Sequence, residues 1–232
     1  MYKLGKYKET DRLCDLITEH YKMLLVLSRF GIALGFGDKT IGEVCAENGV
    51  DTGTFLTVVD LLLDTDEILD FGRRHVSLEA LVAYLQRSHD YFLSFRLPSI
   101  RAKLASALEA GNHDLAKAIL HYFDEYVAEV HRHMAHEEQI LFPYIQKVRS
   151  GKPRQRYSSA VFSKQHDQVE ARLSELKNII IKYYPVKSTN EISSVLFDIF
   201  ACEQDLASHN AIENRLLVPA VQALEAQRKQ TP

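Results

Sequence analysis

The sequence predicts an all-α protein, an up-down-up-down four-helix bundle preceded by a small helical N-terminal domain. Four long segments carry apolar residues at the three- and four-residue spacing of an amphipathic helix. The loops between them, at 110–114, 150–156 and 184–190, are short and contain Gly, Pro or Asn. Short connections make consecutive helices antiparallel neighbours. We therefore expect residues 76–228 to form the bundle and residues 1–72 the small domain.

Composition and charge are typical of a soluble globular protein. The chain has 232 residues, of which 46% are hydrophobic and 25% charged. The net charge of −3 gives no general attraction to nucleic acid or to an anionic membrane. The N-terminus, "MYKLGKYKETDRL", has no apolar segment of signal-peptide length, and the nearby run "MLLVL" is too short to span a bilayer. Three scattered cysteines, Cys14, Cys45 and Cys202, do not form a disulfide framework, so we expect a cytoplasmic protein.

The N-terminal domain contains a segment, residues 40–60, with the pattern of a helix-turn-helix. Gly49 lies where the turn requires a glycine. From Thr40 to Gly72 there is no Lys or Arg, whereas acidic residues recur throughout. A negatively charged recognition helix would repel the phosphates of a nucleic acid, so we expect no nucleic-acid partner.

The first helix of the bundle is predicted to begin after the segment "FGRRHVS" (71–77), where Ser77 can act as the N-cap. Pro98 is expected to bend or reset this helix. The inward-facing stripe of apolar residues, which we call a seam, is Leu78, Val82, Leu85, His89 and then Phe92 or Leu93.

The other three helices have seams of the same kind. That of the second helix is Ile119, Phe123, Tyr126, Val130, His133, Glu137, Ile140 and Tyr144. That of the third is Phe162, His166, Val169, Leu173, Leu176 and Ile180. That of the fourth is Val195, Ile199, Cys202, Leu206, His209, Glu213 and Leu216. Each seam is apolar except for one histidine, and two seams add a glutamate four residues later.

An internal repeat relates the two halves of the bundle. "HMAHEEQILFPYIQKV" from His133 and "HNAIENRLLVPAVQAL" from His209 align without a gap. A further histidine, followed by Asp, lies 44 residues before the first motif and 43 before the second, at His89 and His166. Two similar helix pairs therefore each contribute one His and one His-x-x-x-Glu to a pseudo-twofold site.

The polar seam residues predict a metal site. A buried carboxylate costs several kcal/mol unless it is paired or coordinates a metal. Residues four apart share a helix face, so His133 with Glu137, and His209 with Glu213, can point at one central volume. Imidazole and carboxylate together suit iron, manganese or zinc. A lone His-x-x-x-Glu is weak evidence, but its duplication on equivalent seams favours the metal interpretation over packing.

Ligand counting extends this hypothesis to two metal ions. If Glu137 and Glu213 each bridge both ions, His89 and His133 can serve one ion, and His166 and His209 the other. An oxo or hydroxo bridge would then make each ion five-coordinate, with one position open for a small molecule.

Other polar residues near the seams have simpler interpretations. His131 and His136 flank the second seam and suit surface or outer-shell roles better than ligation. Cys202 is expected to fill the core rather than to bind metal. Tyr126 and Tyr144 are expected to pack, although either hydroxyl could hydrogen-bond a bound species.

The two motifs resemble those of hemerythrin-type cation-binding domains. "HMAHEEQILFPYI" and "HNAIENRLLVPA" are most similar to the di-iron proteins of the repair-of-iron-centres family. The resemblance covers about residues 78–225 and implies two iron ions, each with two histidines and two shared glutamates. The implied ligands are His89, His133, Glu137, His166, His209 and Glu213.

Two departures refine the resemblance. Oxygen-carrying hemerythrins use an additional histidine, which no seam of this sequence provides, so the resemblance favours reactive chemistry over oxygen transport. The N-terminal domain also looks like that of the repair family, whose members carry adjacent cysteines in the loop before the helix pair. The corresponding stretch, "GIALGFGDKT", contains none.

The expected function is that of a non-haem di-iron protein of the nitrosative or oxidative stress response. It would assist the repair of damaged iron–sulfur clusters or react with nitric oxide or oxygen. Iron–sulfur proteins are the candidate partners, no membrane partner is expected, and a homodimer remains open. Two alternatives stay open as well, a gas-sensing or binding module that signals to a protein partner, and a metal store or structural zinc site. Whether the protein is an enzyme is left open by the sequence.

Overall fold

The fold is that of a computed structural model, which describes residues 6–63, 76–108, 113–151, 160–185 and 189–230. Within these ranges, side chains are described except at 113, 160–170, 189 and 228–230. The described residues form helices and short turns, with an isolated antiparallel bridge between Arg12 and Thr40. The predicted all-α fold is confirmed. None of the helices in this part of the chain combines the length and apolarity that a membrane crossing needs.

The helices follow the predicted segments, with π-helical interruptions in three of the four long ones. The N-terminal helices are α1 (Leu13–Glu19), α2 (Met23–Phe30), α3 (Ile41–Glu47) and α4 (Thr52–Leu63). Those that follow are α5 (Leu78–Asp90), α6 (Leu97–Leu108), α7 (His113–His136), α8 (Phe142–Arg149), α9 (Ala160–Tyr183), α10 (Thr189–Ile212) and α11 (Val218–Gln230). The π-helical segments are π1 (Tyr91–Arg96), between α5 and α6, π2 (Glu137–Leu141), between α7 and α8, and π3 (Glu213–Leu217), between α10 and α11.

Backbone contacts divide the chain into two compact units. One consists of residues 1–88 and 212–232, and the other of residues 89–211. The predicted boundary segment, 71–77, lies mostly outside the described residues. The domain assignment made from the sequence, 1–72 and 76–228, therefore stays a prediction.

Local capping interactions explain the helix starts of the N-terminal segment. Thr40 and Glu43 form a capping box, in which the Glu43 backbone N–H donates to Thr40 Oγ1 at 3.2 Å and Thr40 N–H donates to Glu43 Oε2 at 2.8 Å. Gly49 has φ of 65°, the left-handed conformation that the turn between α3 and α4 requires. α3 and α4 are thus two helices joined by a tight turn, and their function as a helix-turn-helix stays a prediction. Ser77 Oγ accepts the Ala80 N–H at 3.2 Å, which confirms the predicted N-cap of α5.

An apolar core holds the helices of the second unit together. Its fully buried members include Phe123, Tyr126 and Cys202, so Cys202 fills the core as expected. The Tyr184 hydroxyl closes one end by donating to the Leu108 carbonyl at 2.7 Å. Every described residue of the predicted third and fourth seams is buried. Phe162, His166 and Val169 of the third seam belong to the stretch of α9 whose side chains are not described.

The predicted second seam is wrong beyond Glu137. Ile140 was expected to face inward but is 47% exposed, and Tyr144 is only half-buried. Leu141 and Ile145 are buried in their place. The reason is π2, because a π turn contains one more residue than an α turn and so rotates every later side chain by one position.

Proline positions account for the π-helical segments. A proline inside a helix lacks an N–H, and its ring clashes with the carbonyl four residues earlier. In each case that carbonyl belongs to a π segment, whose wider turn accommodates the ring. Pro98 therefore resets the first helix, as predicted, and does so without ending it. The three prolines are the second residues of α6, α8 and α11, namely Pro98, Pro143 and Pro219.

Candidate metal centre

The ends of three helices, where they meet π segments, position the polar seam residues. His89 is the penultimate residue of α5. Glu137 and Glu213 are the first residues of π2 and π3, each four residues after a histidine of the preceding helix. π-helical turns often occur at functional sites, because the wider turn redirects side chains that an α-helix would send elsewhere.

Burial of these side chains is nearly complete. Glu137, Glu213 and His209 are 0% exposed, His89 is 3% exposed and His133 is 8% exposed. Glutamate is almost never fully buried unless it is paired or bound to a metal. Glu137 and Glu213 are therefore both removed from water, so the desolvation cost predicted for a carboxylate on a seam applies fully to each of them.

Glu137 lies between two imidazoles. Its Oε2 is 2.9 Å from His89 Nε2, and its Oε1 is 2.9 Å from His133 Nε2. Each carboxylate oxygen thus faces a different histidine. The three side chains therefore converge on one volume, as ligands of a common metal site would.

Four of the predicted ligands form one compact donor group. One ligand atom from each of His89, Glu137, His209 and Glu213 lies within 4.8 Å of all the others. The His89 and His209 rings are 5.2 Å apart between centroids. Metal bonds to nitrogen and oxygen of about 2.0–2.2 Å place adjacent ligand atoms about 3 Å apart, which the 2.9 Å contacts of Glu137 match. The donors therefore fit a transition-metal site in spacing and in chemistry.

Aromatic rings bound this donor group. Phe142 stacks on the His89 ring at 5.6 Å with an interplanar angle of 15°. Phe92 meets the His209 ring edge to face at 6.0 Å and 89°. The sequence left either Phe92 or Leu93 as the next residue of the first seam. Phe92 is the one that is fully buried. These rings exclude water and so strengthen every electrostatic interaction within the site.

Sequence reasoning missed one polar contact of the site. Glu138 Oε1 lies 2.9 Å from His89 Nδ1, so the two nitrogens of His89 meet two consecutive glutamates. The signal was the "EE" pair at 137–138, which the second motif replaces with "EN". Periodicity placed Glu138 off the seam and gave it no role.

The six predicted ligands are not all placed by the structure. His89, Glu137, His209 and Glu213 are brought together, and His133 joins them through Glu137. His166 belongs to α9, but its side chain is outside the described residues. The six-residue ligand set therefore stays a prediction.

Residues expected to play lesser roles occupy different environments. His131 is exposed and His136 half-buried. Tyr126 is fully buried and packs against Phe123, with ring centroids 6.0 Å apart. These positions agree with surface and packing roles.

Comparison with known families agrees with the geometry. The model of the hemerythrin HHE cation-binding domain matches residues 80–221, well over half of the chain. No curated protein gives a significant match. The matched range contains all of the buried His/Glu donors, and the family is a metal-binding one, typically of iron. The chain belongs to the hemerythrin HHE cation-binding family.

Proposed function

We propose that this protein is a non-haem di-iron protein of the nitrosative or oxidative stress response, which assists the repair of damaged iron–sulfur clusters or reacts with nitric oxide or oxygen. The observation that carries the proposal is the donor group of two fully buried glutamates and two histidines within 4.8 Å. Iron suits such a mixed imidazole and carboxylate set.

The roles of the individual residues follow from the contacts and the repeat. Glu137 would bridge the two ions, as the ligand count of the repeat predicts, and its carboxylate already lies beside the His89 and His133 rings. Glu213 would bridge from the second half of the repeat. His89 and His133 would hold one ion, and His166 and His209 the other.

The proposed cofactor is two iron ions with an oxo or hydroxo bridge. When bound, it would supply a redox-active centre for oxygen or nitric oxide. The chain's own contribution is a fixed set of ligands in a site lined by Phe92 and Phe142. The carboxylates of Glu137 and Glu213 would offset part of the positive charge of the ions.

Support for the stress-response role comes from the sequence. The motifs from His133 and His209 resemble those of the repair family, and no further seam histidine fills the open coordination positions. The acidic helix-turn-helix suits contact with a protein rather than with nucleic acid. We accordingly propose a cytoplasmic protein whose partners are iron–sulfur proteins.

The first experiment measures metal content and the visible spectrum of protein purified without oxygen and then exposed to air or nitric oxide. We expect about two iron ions per chain, as the ligand count requires, and a spectral change on exposure to either gas. Zinc, or no metal under iron-replete conditions, would contradict the proposal.

A second experiment separates repair from sensing. In cells that lack the protein, wild type should restore recovery of cluster-containing enzymes after nitric oxide stress, and the Glu137→Ala variant should not. Equal recovery with both variants would rule out a repair role for the metal centre. A gas-dependent change in affinity for a protein partner, without enzyme recovery, would favour the sensing alternative.

A further inference from the structure

The His89 ring is held from three directions. Glu137 Oε2 faces its Nε2, Glu138 Oε1 faces its Nδ1, and Phe142 covers one face of the ring. Both nitrogen contacts are 2.9 Å long, within hydrogen-bonding range. Three contacts on one small ring leave it little freedom to rotate.

The two glutamates that contact His89 differ in exposure. The Glu137 side chain is 0% exposed, whereas that of Glu138 is 34% exposed. Glu137 belongs to the compact donor group, and Glu138 does not. Glu138 therefore reaches the ring from the rim of the site, on the nitrogen opposite to the one that faces the donor group.

We propose that Glu138 is a positioning residue for His89. Its carboxylate accepts a hydrogen bond from the Nδ1–H of His89, which fixes the orientation of the ring and leaves Nε2 to bind metal. Carboxylates that accept from a ligand imidazole in this way orient it and increase its basicity. This inference rests on the proposed metal site.

The internal repeat makes the two halves of the site unequal at this position. In the alignment of the motifs from His133 and His209, Asn214 is the residue equivalent to Glu138. Asn214 is exposed and carries a neutral amide. Only the half that contains His89 has a carboxylate at this position. The two metal positions should consequently differ in how tightly they hold their ions.

Competition with a chelator tests this role in the full-length, iron-loaded protein. Outer-shell partners of metal ligands typically contribute 10- to 100-fold in affinity, so Glu138→Ala should weaken about half of the bound iron by roughly that factor. Glu138→Gln, which keeps an acceptor oxygen but loses the charge, should recover part of the loss. Asn214→Ala is the matched control and should stay within about 3-fold of wild type, well below the outer-shell effect.

The outcomes separate a positioning role from a general structural one. If Glu138→Ala only lowers the melting temperature of the metal-free protein and leaves iron release unchanged, the proposal is wrong. Equal losses in Glu138→Ala and Asn214→Ala would also contradict it. Iron release that is faster in one kinetic phase of Glu138→Ala, with the other phase unchanged, supports it.

A measurement on metal-free protein keeps this test independent of the proposed function. The nitrogen-bound proton on His89 Nδ1 should exchange slowly with water in wild type and rapidly in Glu138→Ala, as observed by nitrogen-edited NMR. Wild-type protein that binds no iron but shows this difference would overturn the proposed function and retain the contact. Rapid exchange in wild type would overturn the positioning role, whatever the metal content.

Discussion

Two groups of charged side chains in the structure are stabilised in different ways. In the His/Glu cluster, the carboxylates of Glu137 and Glu213 are fully buried among imidazoles, which carry no permanent charge. In the second group, Asp198 of α10 meets Arg96 of π1 at 3.0 Å and Lys103 of α6 at 2.6 Å. The Asp198 side chain remains 20% exposed, so it keeps some contact with water.

The difference between the two groups indicates that the ion pairs of Asp198 stabilise the folded chain. Burial raises the pKa of Asp198, but the hydrogen bond from Lys103 and the charges of Arg96 and Lys103 outweigh it, so the pKa lies below its ordinary value of 3.8. The charged form of Asp198 is therefore stabilised by folding. The two buried carboxylates lie beside imidazoles, and an added metal ion would bring fixed positive charge into the same donor group.

Removal of metal should have the largest effect. At free metal about 1,000-fold above the dissociation constant, binding would stabilise the folded state by about 4 kcal/mol. Chelation should remove that amount from the unfolding free energy in both wild type and Asp198→Asn, because Asp198 and His209 lie about 16 Å apart along α10, a separation at which effects usually add. Chemical denaturation with and without chelator measures this. Identical curves would show that the His/Glu cluster does not bind metal strongly.

Loss of a bridging carboxylate should have the next largest effect. Glu137→Gln preserves the shape of the side chain but removes its charge, so metal should be lost from both positions, by more than the 10- to 100-fold typical of an outer-shell change. His133→Ala should weaken one position. Metal analysis after dialysis measures both variants. Wild-type metal content in Glu137→Gln would contradict bridging.

Metal-free Glu137→Gln provides the complementary comparison. Because the substitution removes a buried charge, its unfolding free energy without metal should equal or exceed that of metal-free wild type. Asp198→Asn should behave in the opposite way, since its charge is paired. A metal-free Glu137→Gln protein much less stable than wild type would mean that Glu137 serves the fold.

The sequence predicted the seams and most of the cluster because both depend on the regular rotation of an α-helix. The spacing of His133 with Glu137, and of His209 with Glu213, survives in the structure because it ends where the π segments begin. The prediction that Ile140 faces inward was wrong because the extra residue of π2 changes the rotation of the side chains beyond that point. Pro143 signals the disruption, but a proline alone does not distinguish a kink, a break and a π turn.

Contacts between distant segments were the other limit of sequence reasoning. The contact between Glu138 and His89 joins residues 49 positions apart, and the Arg96–Asp198 contact joins residues 102 apart. Hydrophobic periodicity describes one helix at a time and contains no information about which polar side chains meet across two helices. The internal repeat was the one sequence signal that related the two halves of the chain. It did so only at positions where the two motifs have the same residue.

Substitution of Asp198 should have a moderate effect. Asp198→Asn would leave Arg96 and Lys103 facing a neutral amide and should cost about 1 kcal/mol of unfolding free energy, since partly exposed ion pairs contribute modestly. The matched control is Asp124→Asn, which breaks the more exposed pair with Arg101 at 2.9 Å and should cost less. Denaturation of both variants at neutral pH gives the comparison. Equal costs would mean that burial of Asp198 adds nothing.

The smallest expected effect is the pH dependence of the Asp198 contribution. Because folding lowers the pKa of Asp198, its stabilisation is present above the unfolded pKa of 3.8 and is lost as the pH falls through the lower folded value. The difference in unfolding free energy between wild type and Asp198→Asn should therefore be constant near neutrality and shrink below about pH 4. Paired denaturation series from pH 7 to acid measure it. A difference that persists unchanged in acid would show that Asp198 acts through packing and neutral hydrogen bonds, and the contrast with the buried glutamates would then rest on burial alone.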